Sequence, residues 1–207
     1  MATILRTWSY QYQWLYDTIS RLAAISVGGE VQFHLLPLQG LTIDSETKVL
    51  DLCCGSGQAT QYLVKYSQHV TGLDASLFSL QRAERNVPQA QYVEGLAEEM
   101  PLPNAQFDLV HSSVAMHEMS PSGLQQIIKE VYRVLKPGGT FAIVDFHKPT
   151  NFLFWPGVAV FLWLFETQTA WQLLETDLPA LLQDVGFRVR RHSLHAGGSL
   201  QVIQAEK

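Results

Sequence analysis

Two aspartates with a pair of glycines between them set the chemistry open to this chain. In KVLDLCCGSGQAT, Lys48–Thr60, Asp51 stands just ahead of a small-residue turn that holds Cys53, Gly55 and Gly57. Asp74, in VTGLDAS, follows roughly 20 residues after the turn, where an acid can hydrogen-bond the ribose hydroxyls of a nucleoside. Glycine lets backbone approach a ligand closely, and a helix opening just after the turn would offer unpaired N–H groups and a positive dipole end. A dinucleotide cradle wants G-x-G-x-x-G, but Cys53–Gln58 reads CCGSGQ and lacks the third glycine. Asp51 would also repel a pyrophosphate. A nucleoside ligand carrying positive charge suits the two acids better than a nicotinamide dinucleotide does. The plain alternatives are a ligand-free strand–helix turn and, for Asp74, a helix cap.

A third group is His117, in a loop after the fourth expected strand. Facing the ligand, it would be a candidate general base, removing a proton from a hydroxyl or a ring carbon. A loop histidine is as often a hydrogen-bonded structural group. His147 is a second choice for the same role.

These residues need a scaffold, and the chain alternates strand and helix to supply one. Strands are expected at Lys48–Leu52, His69–Leu73, Gln91–Val93, Phe107–His111 and Thr140–Asp145. Helices are expected at Gln58–Tyr66, at Ser76–Asn86 with Ser76 as N-cap, and at Pro121–Leu135, stopped by Pro137-Gly138-Gly139. A helix at Leu178–Val185 closes at Gly186, and strands Phe187–Leu194 and Leu200–Ala205 are joined by a loop that only an antiparallel pair allows. Ahead of the core, Trp8–Leu38 reads as a helical appendage with a helix end at Gly28-Gly29, and Pro37–Ser45 as a linker. The pattern implies an α/β fold, a mostly parallel sheet covered on both faces.

The 207 residues fit one domain, with 47% hydrophobic residues and a formal charge of −5. No basic run is present, so a nucleic-acid backbone is not the expected partner. The two cysteines, Cys53 and Cys54, are adjacent, which is neither a disulfide framework nor a metal-ligand spacing, and no metal is expected. No signal peptide is expected, and the longest apolar stretch, Phe152–Phe165, is interrupted by Pro156-Gly157 and too short to span a bilayer. A cytoplasmic protein, peripheral to a membrane at most, is the expectation.

VLDLCCGSG (Val49–Gly57), GLDAS (Gly72–Ser76), EGLAEEMPLPNAQFDLV (Glu94–Val110), HEM (His117–Met119) and RVLKPGGTFAIVD (Arg133–Asp145) together resemble the class I S-adenosylmethionine-dependent methyltransferases. The resemblance implies a Rossmann-like fold with a seven-stranded, mostly parallel sheet and an antiparallel last strand. It divides the single domain into an appendage over 1–45, a cofactor-binding core over 46–146, a substrate lid over 147–175 and a closing helix and hairpin over 176–207. The backbone of Asp51–Gly57, with Cys53, Gly55 and Gly57, would hold the methionine portion, and Asp51 would lie near the amino group and sulfonium. Asp74, with Ala75 beside it, would take the ribose. Ala97 and Glu98 would flank the adenine, although Leu96 stands where the family often has an acid. His111 and Ser112 would line the methyl-transfer pocket, and Lys136 has no catalytic role.

Within that family, Tyr16-Asp17, SVGGEVQFH (Ser26–His34) and the DLCCGSG spelling look most like the ubiquinone/menaquinone C-methyltransferase (UbiE-like) group. That likeness implies a small, hydrophobic acceptor such as a prenylated quinol ring carbon. An O- or N-methyltransferase of another small metabolite and a non-catalytic cofactor-binding module are the alternatives. Phe152–Phe165, with Trp155 and Trp163, would then be an apolar substrate lid, a buried core helix, or a segment in shallow membrane contact.

Overall fold

The computed structural model describes residues 28–207. The expectations for Trp8–Tyr16 and for most of the N-terminal appendage therefore lie outside the described residues. Seven strands form one sheet: β1 (Lys48–Leu52), β2 (His69–Asp74), β3 (Gln91–Glu94), β4 (Phe107–Ser113), β5 (Leu135–Phe146), β6 (Arg188–His195) and β7 (Leu200–Glu206). Their spatial order is β3-β2-β1-β4-β5-β7-β6. The pairs β1–β2, β1–β4, β2–β3 and β4–β5 are parallel, whereas β7 runs antiparallel to both β5 and β6. This is the class I methyltransferase arrangement, and it places the C-terminal ends of β1, β2, β4 and β5 along one edge. In an open α/β sheet that edge, where the order reverses at β1–β4, is where ligands bind.

Seven helices accompany the sheet among the described residues: α1 (Glu30–Leu35), α2 (Thr60–Leu63), α3 (Leu77–Asn86), α4 (Pro121–Val134), α5 (Trp155–Phe165), α6 (Gln168–Leu174) and α7 (Leu178–Val185). Ser76 caps α3 by accepting the Ser79 N–H, and Gly186 ends α7 in the left-handed conformation. Along α4, Leu124, Ile127, Ile128, Val131 and Val134 form a buried stripe against Leu50, Val110, Phe141 and Ile143 of the sheet.

Gly29 is the N-cap residue of α1, and the helix expected to end at Gly28-Gly29 lies outside the described residues. One local expectation is corrected. The helix after the glycine turn is four residues long instead of spanning Gln58–Tyr66. Beyond it, Lys65 N–H and Tyr66 N–H reach back only three residues, to Tyr62 and Leu63, so the chain closes in tight turns. The start of this short helix still meets the cavity, through Gln58 and Ala59. The turn backbone itself forms the cradle.

Candidate active site

A cavity of about 910 Å³ opens along the C-terminal edge of the sheet. Asp51, at the end of β1, is buried on its floor. Its Oδ2 accepts from Thr60 Oγ1 at 2.6 Å and its Oδ1 lies 3.0 Å from Nδ1 of His111. The chain then turns through Cys53 and Gly55, both with positive φ. At Gly55, a Cβ would meet nothing within 4 Å, so this stretch presents bare backbone to the cavity. The Gly55 N–H donates to Asp74 Oδ2 at 2.9 Å, and the Ser76 N–H donates to Asp74 Oδ1 at 2.9 Å. Asp74 thus ties the turn to the end of β2 and keeps lone pairs on both oxygens for a further donor.

Asp51, Cys53, Gly55, Asp74, Ala75 and His117 all line this cavity. Cys53 is no nucleophile here. Burial, then the carboxylates of Asp74 and Asp51, push its thiol well above the ordinary range.

Other expected site residues lie elsewhere. Gly57 does not line the cavity. Its φ of +86° and the 3.2 Å approach of Val87 Cγ2 to a Cβ placed there make it a packing position under α3. Ala97 is buried in the core, and Glu98 lies beside Gly123 of α4, so neither lines the cavity. His111 and Ser112 are corrected likewise. Strand β4 runs on to Ser113, and the wall is made by Ser113, Val114 and Ala115. His111 is spent on Asp51 and on the backbone carbonyl of His34, and Ser112 Oγ is buried without a hydrogen-bond partner. Sequence reading also missed His34. It packs against Tyr62, bonds Ser113 Oγ at 3.0 Å through Nδ1, and lines the cavity.

His117 occupies the opposite end. Its Nδ1 lies 2.8 Å from Asp145 Oδ1, and its Nε2 lies 3.8 Å from Glu118 Oε1 and 3.5 Å from Glu166 Oε2. Burial works against charge on this ring, but the Asp145 carboxylate and then Glu166 outweigh it and push its pKa up to about 10. Carboxylates face both ring nitrogens, a setting that favours the charged ring and suits the expected general-base role poorly. His147 is a weaker choice still, because its Nδ1 is engaged by the Gly198 carbonyl and it does not line the cavity. Lys136 pairs with Asp108 at 2.7 Å, away from the cavity.

The wall beyond His117 comes from α5 and its neighbours: Phe146, Phe154, Val158, Phe161, Leu162 and Phe165. Trp155 and Trp163 are not among them. Trp163 is 70% exposed, and Trp155 packs edge-on against Trp171 at 6.3 Å. The α5 segment does wall the cavity, but it does so with its phenylalanines while the tryptophans face outward. No helix among the described residues is long and apolar enough to cross a membrane.

Sheet order, buried acid, glycine turn and second acid together define a Rossmann-like S-adenosylmethionine site, and comparison with known proteins agrees. Residues 49–139 match the model of the methyltransferase domain family. An uncharacterized methyltransferase of Synechocystis is 63% identical over 205 residues, covering 99% of this chain and 97% of the relative. This chain belongs to the class I S-adenosylmethionine-dependent methyltransferases. More distantly, a demethylmenaquinone methyltransferase of Listeria welshimeri is 28% identical over 89% of this chain and 87% of its own length. The crystal structure of an S-adenosylmethionine-dependent methyltransferase from Aquifex aeolicus shares the fold with a TM-score of 0.66 at 21% identity, covering 90% of this chain and 92% of that one.

The residues present fit that cofactor. Asp51 and Asp74 supply negative charge beside open Gly55 backbone, and among the described residues no lysine or arginine lines the cavity to oppose a sulfonium.

Proposed function

We propose that this enzyme methylates a small apolar acceptor, such as a ring carbon of a prenylated quinol. The observation that carries the reading is the aromatic and aliphatic wall of α5 and Phe146, which continues the cofactor end of the cavity without a break. The demethylmenaquinone methyltransferase name of the 28% identical relative points the same way. When bound, S-adenosylmethionine supplies an activated methyl group. Asp51 and the turn Cys53–Gly55 hold its methionine end, and Asp74 holds the ribose. Phe146, Phe161 and Phe165 exclude water and press a flat acceptor toward the turn. Alignment of this kind is worth about 7–11 kcal/mol of barrier.

Methylation at oxygen or nitrogen is the second reading. Glu118 and Glu166 favour it, as carboxylates at the acceptor end that can take the proton a heteroatom releases. The outer side of the apolar stretch supports peripheral contact with a membrane, because Phe152 is 79% and Trp163 70% exposed on it. Such contact would bring the site to a lipid-dissolved acceptor.

The test is incubation of lipid and polar extracts with the protein and methyl-labelled S-adenosylmethionine, followed by mass spectrometry. Label in an apolar ring compound, on carbon, is the expected result. Label confined to polar metabolites would sink the apolar-acceptor reading, and label on oxygen or nitrogen would select the second.

A further inference from the structure

Among the described residues, five carboxylates line the cavity: Glu30, Asp51, Asp74, Glu118 and Glu166. Asp51 and Asp74 belong to the cofactor end. Glu118 and Glu166 stand at the other end and converge on one atom, Nε2 of His117, at 3.8 and 3.5 Å. One donor atom from each of these three residues lies within 4.8 Å of the other two. The orientation of the ring is fixed from behind. Its Nδ1 donates to Asp145 Oδ1 at 2.8 Å, and Asp145, fully buried, is itself held by the N–H groups of Met116 and Phe146 at 2.7 Å each. A carboxylate that takes the far N–H of an imidazole and aims its other nitrogen at a cluster of oxygens is the outer-shell arrangement of metal-binding histidines.

We propose that His117 Nε2, Glu118 and Glu166 bind one divalent transition-metal ion. One imidazole nitrogen and two carboxylates on one side of an ion suit zinc, manganese or ferrous iron, and leave its remaining positions open. Bonds of about 2.0–2.2 Å need the three donors to draw together by a small side-chain movement. The ion takes the place of the proton on Nε2. It also offsets the charge of three carboxylates, Asp145 included, grouped around a single ring. Its open positions face the cavity beside Phe146 and Phe161, where an acceptor hydroxyl is the fitting ligand. That last assignment rests on the acceptor reading above, whereas the binding of the ion does not.

The test uses the full chain, stripped with chelator, without cofactor or acceptor. Titration with zinc sulfate by calorimetry should give one saturable site per chain, and Glu118→Gln and Glu166→Gln should each weaken it at least tenfold. Calorimetry with S-adenosylhomocysteine should show cofactor binding unchanged in both variants, which establishes that they are folded. Cobalt chloride should give a spectrum free of thiolate charge transfer. Absence of saturable zinc binding, unchanged affinity in both variants, or a cobalt spectrum dominated by thiolate bands from Cys53 and Cys54 would each overturn the site.

Discussion

Nδ1 of His117 and Oδ1 of Asp145 meet at 2.8 Å in a fully buried contact that joins the 3-10 turn Met116–Glu118 to the end of β5. The same carboxylate accepts the N–H groups of Met116, His117 and Phe146. It therefore organises the acceptor end of the cavity as a unit. Asp145→Asn keeps the shape but exchanges an acceptor oxygen for an N–H₂ facing donors. Breaking one side of a buried charged pair costs about 3–5 kcal/mol. Urea denaturation should show a loss of that order with an unchanged slope. A loss under 1 kcal/mol would show that the pair does not organise this end.

Asp51 acts at the opposite end. Thr60 and His111 occupy one lone pair on each of its oxygens, which fixes the carboxylate in place before any ligand arrives. Asp51→Asn should weaken S-adenosylhomocysteine binding about tenfold, or ~1.4 kcal/mol, and S-adenosylmethionine by more, because only the latter carries the sulfonium. Calorimetry with both ligands checks this. Equal losses would remove the electrostatic role assigned to Asp51.

His34 makes stability depend on pH. Burial, then the neighbouring His111, lowers its pKa from 6.5 to about 4, against a smaller raising pull from Asp51. The unfolded chain then binds more protons than the folded one between these two values. Stability is complete above pH 6.5 and falls as pH drops toward 4. At about 1.4 kcal/mol per pH unit, the drop reaches ~3 kcal/mol. His34→Gln should flatten this part of the curve, measured by urea denaturation from pH 4 to 8. An equally steep curve in the variant would place the effect elsewhere.

Cofactor-end residues were legible because their signals are local. Asp51, Gly55 and Asp74 sit at strand ends and in one turn, so spacing alone brings them together. The acceptor end was legible only in part: His117 and the Phe152–Phe165 stretch were expected there, but Glu166 was not. His117 and Glu166 meet only because α5 folds back over the strand ends, a long-range event that short-range spacing does not encode. At the end of β4 the misreading was a matter of length. Two more residues in the strand moved the wall from His111 and Ser112 to Ser113 and Val114, and successive strand residues face opposite ways. In α5 every residue is apolar, so periodicity could not show which side faces the cavity. The phenylalanines, not the tryptophans, line the site.

That outward placement yields the last prediction. Phe152, Val160 and Trp163 are exposed on an apolar segment whose inner side, through Phe161 and Phe165, walls the cavity. Burying a large aromatic side chain stabilises by about 1.5–3 kcal/mol when the surface meets an apolar phase. Phe152→Ser with Trp163→Ser should therefore reduce co-sedimentation with phosphatidylcholine vesicles about tenfold or more. Cofactor affinity should be unchanged, because neither side chain lines the cavity. For an acceptor dissolved in vesicles, the apparent KM should rise. For a short-chain analogue in detergent-free buffer, kcat/KM should stay level. If the double variant still bound vesicles like the parent, the outer face would have no part in membrane contact. If it lost activity on both acceptors alike, α5 would act through its packing rather than through access.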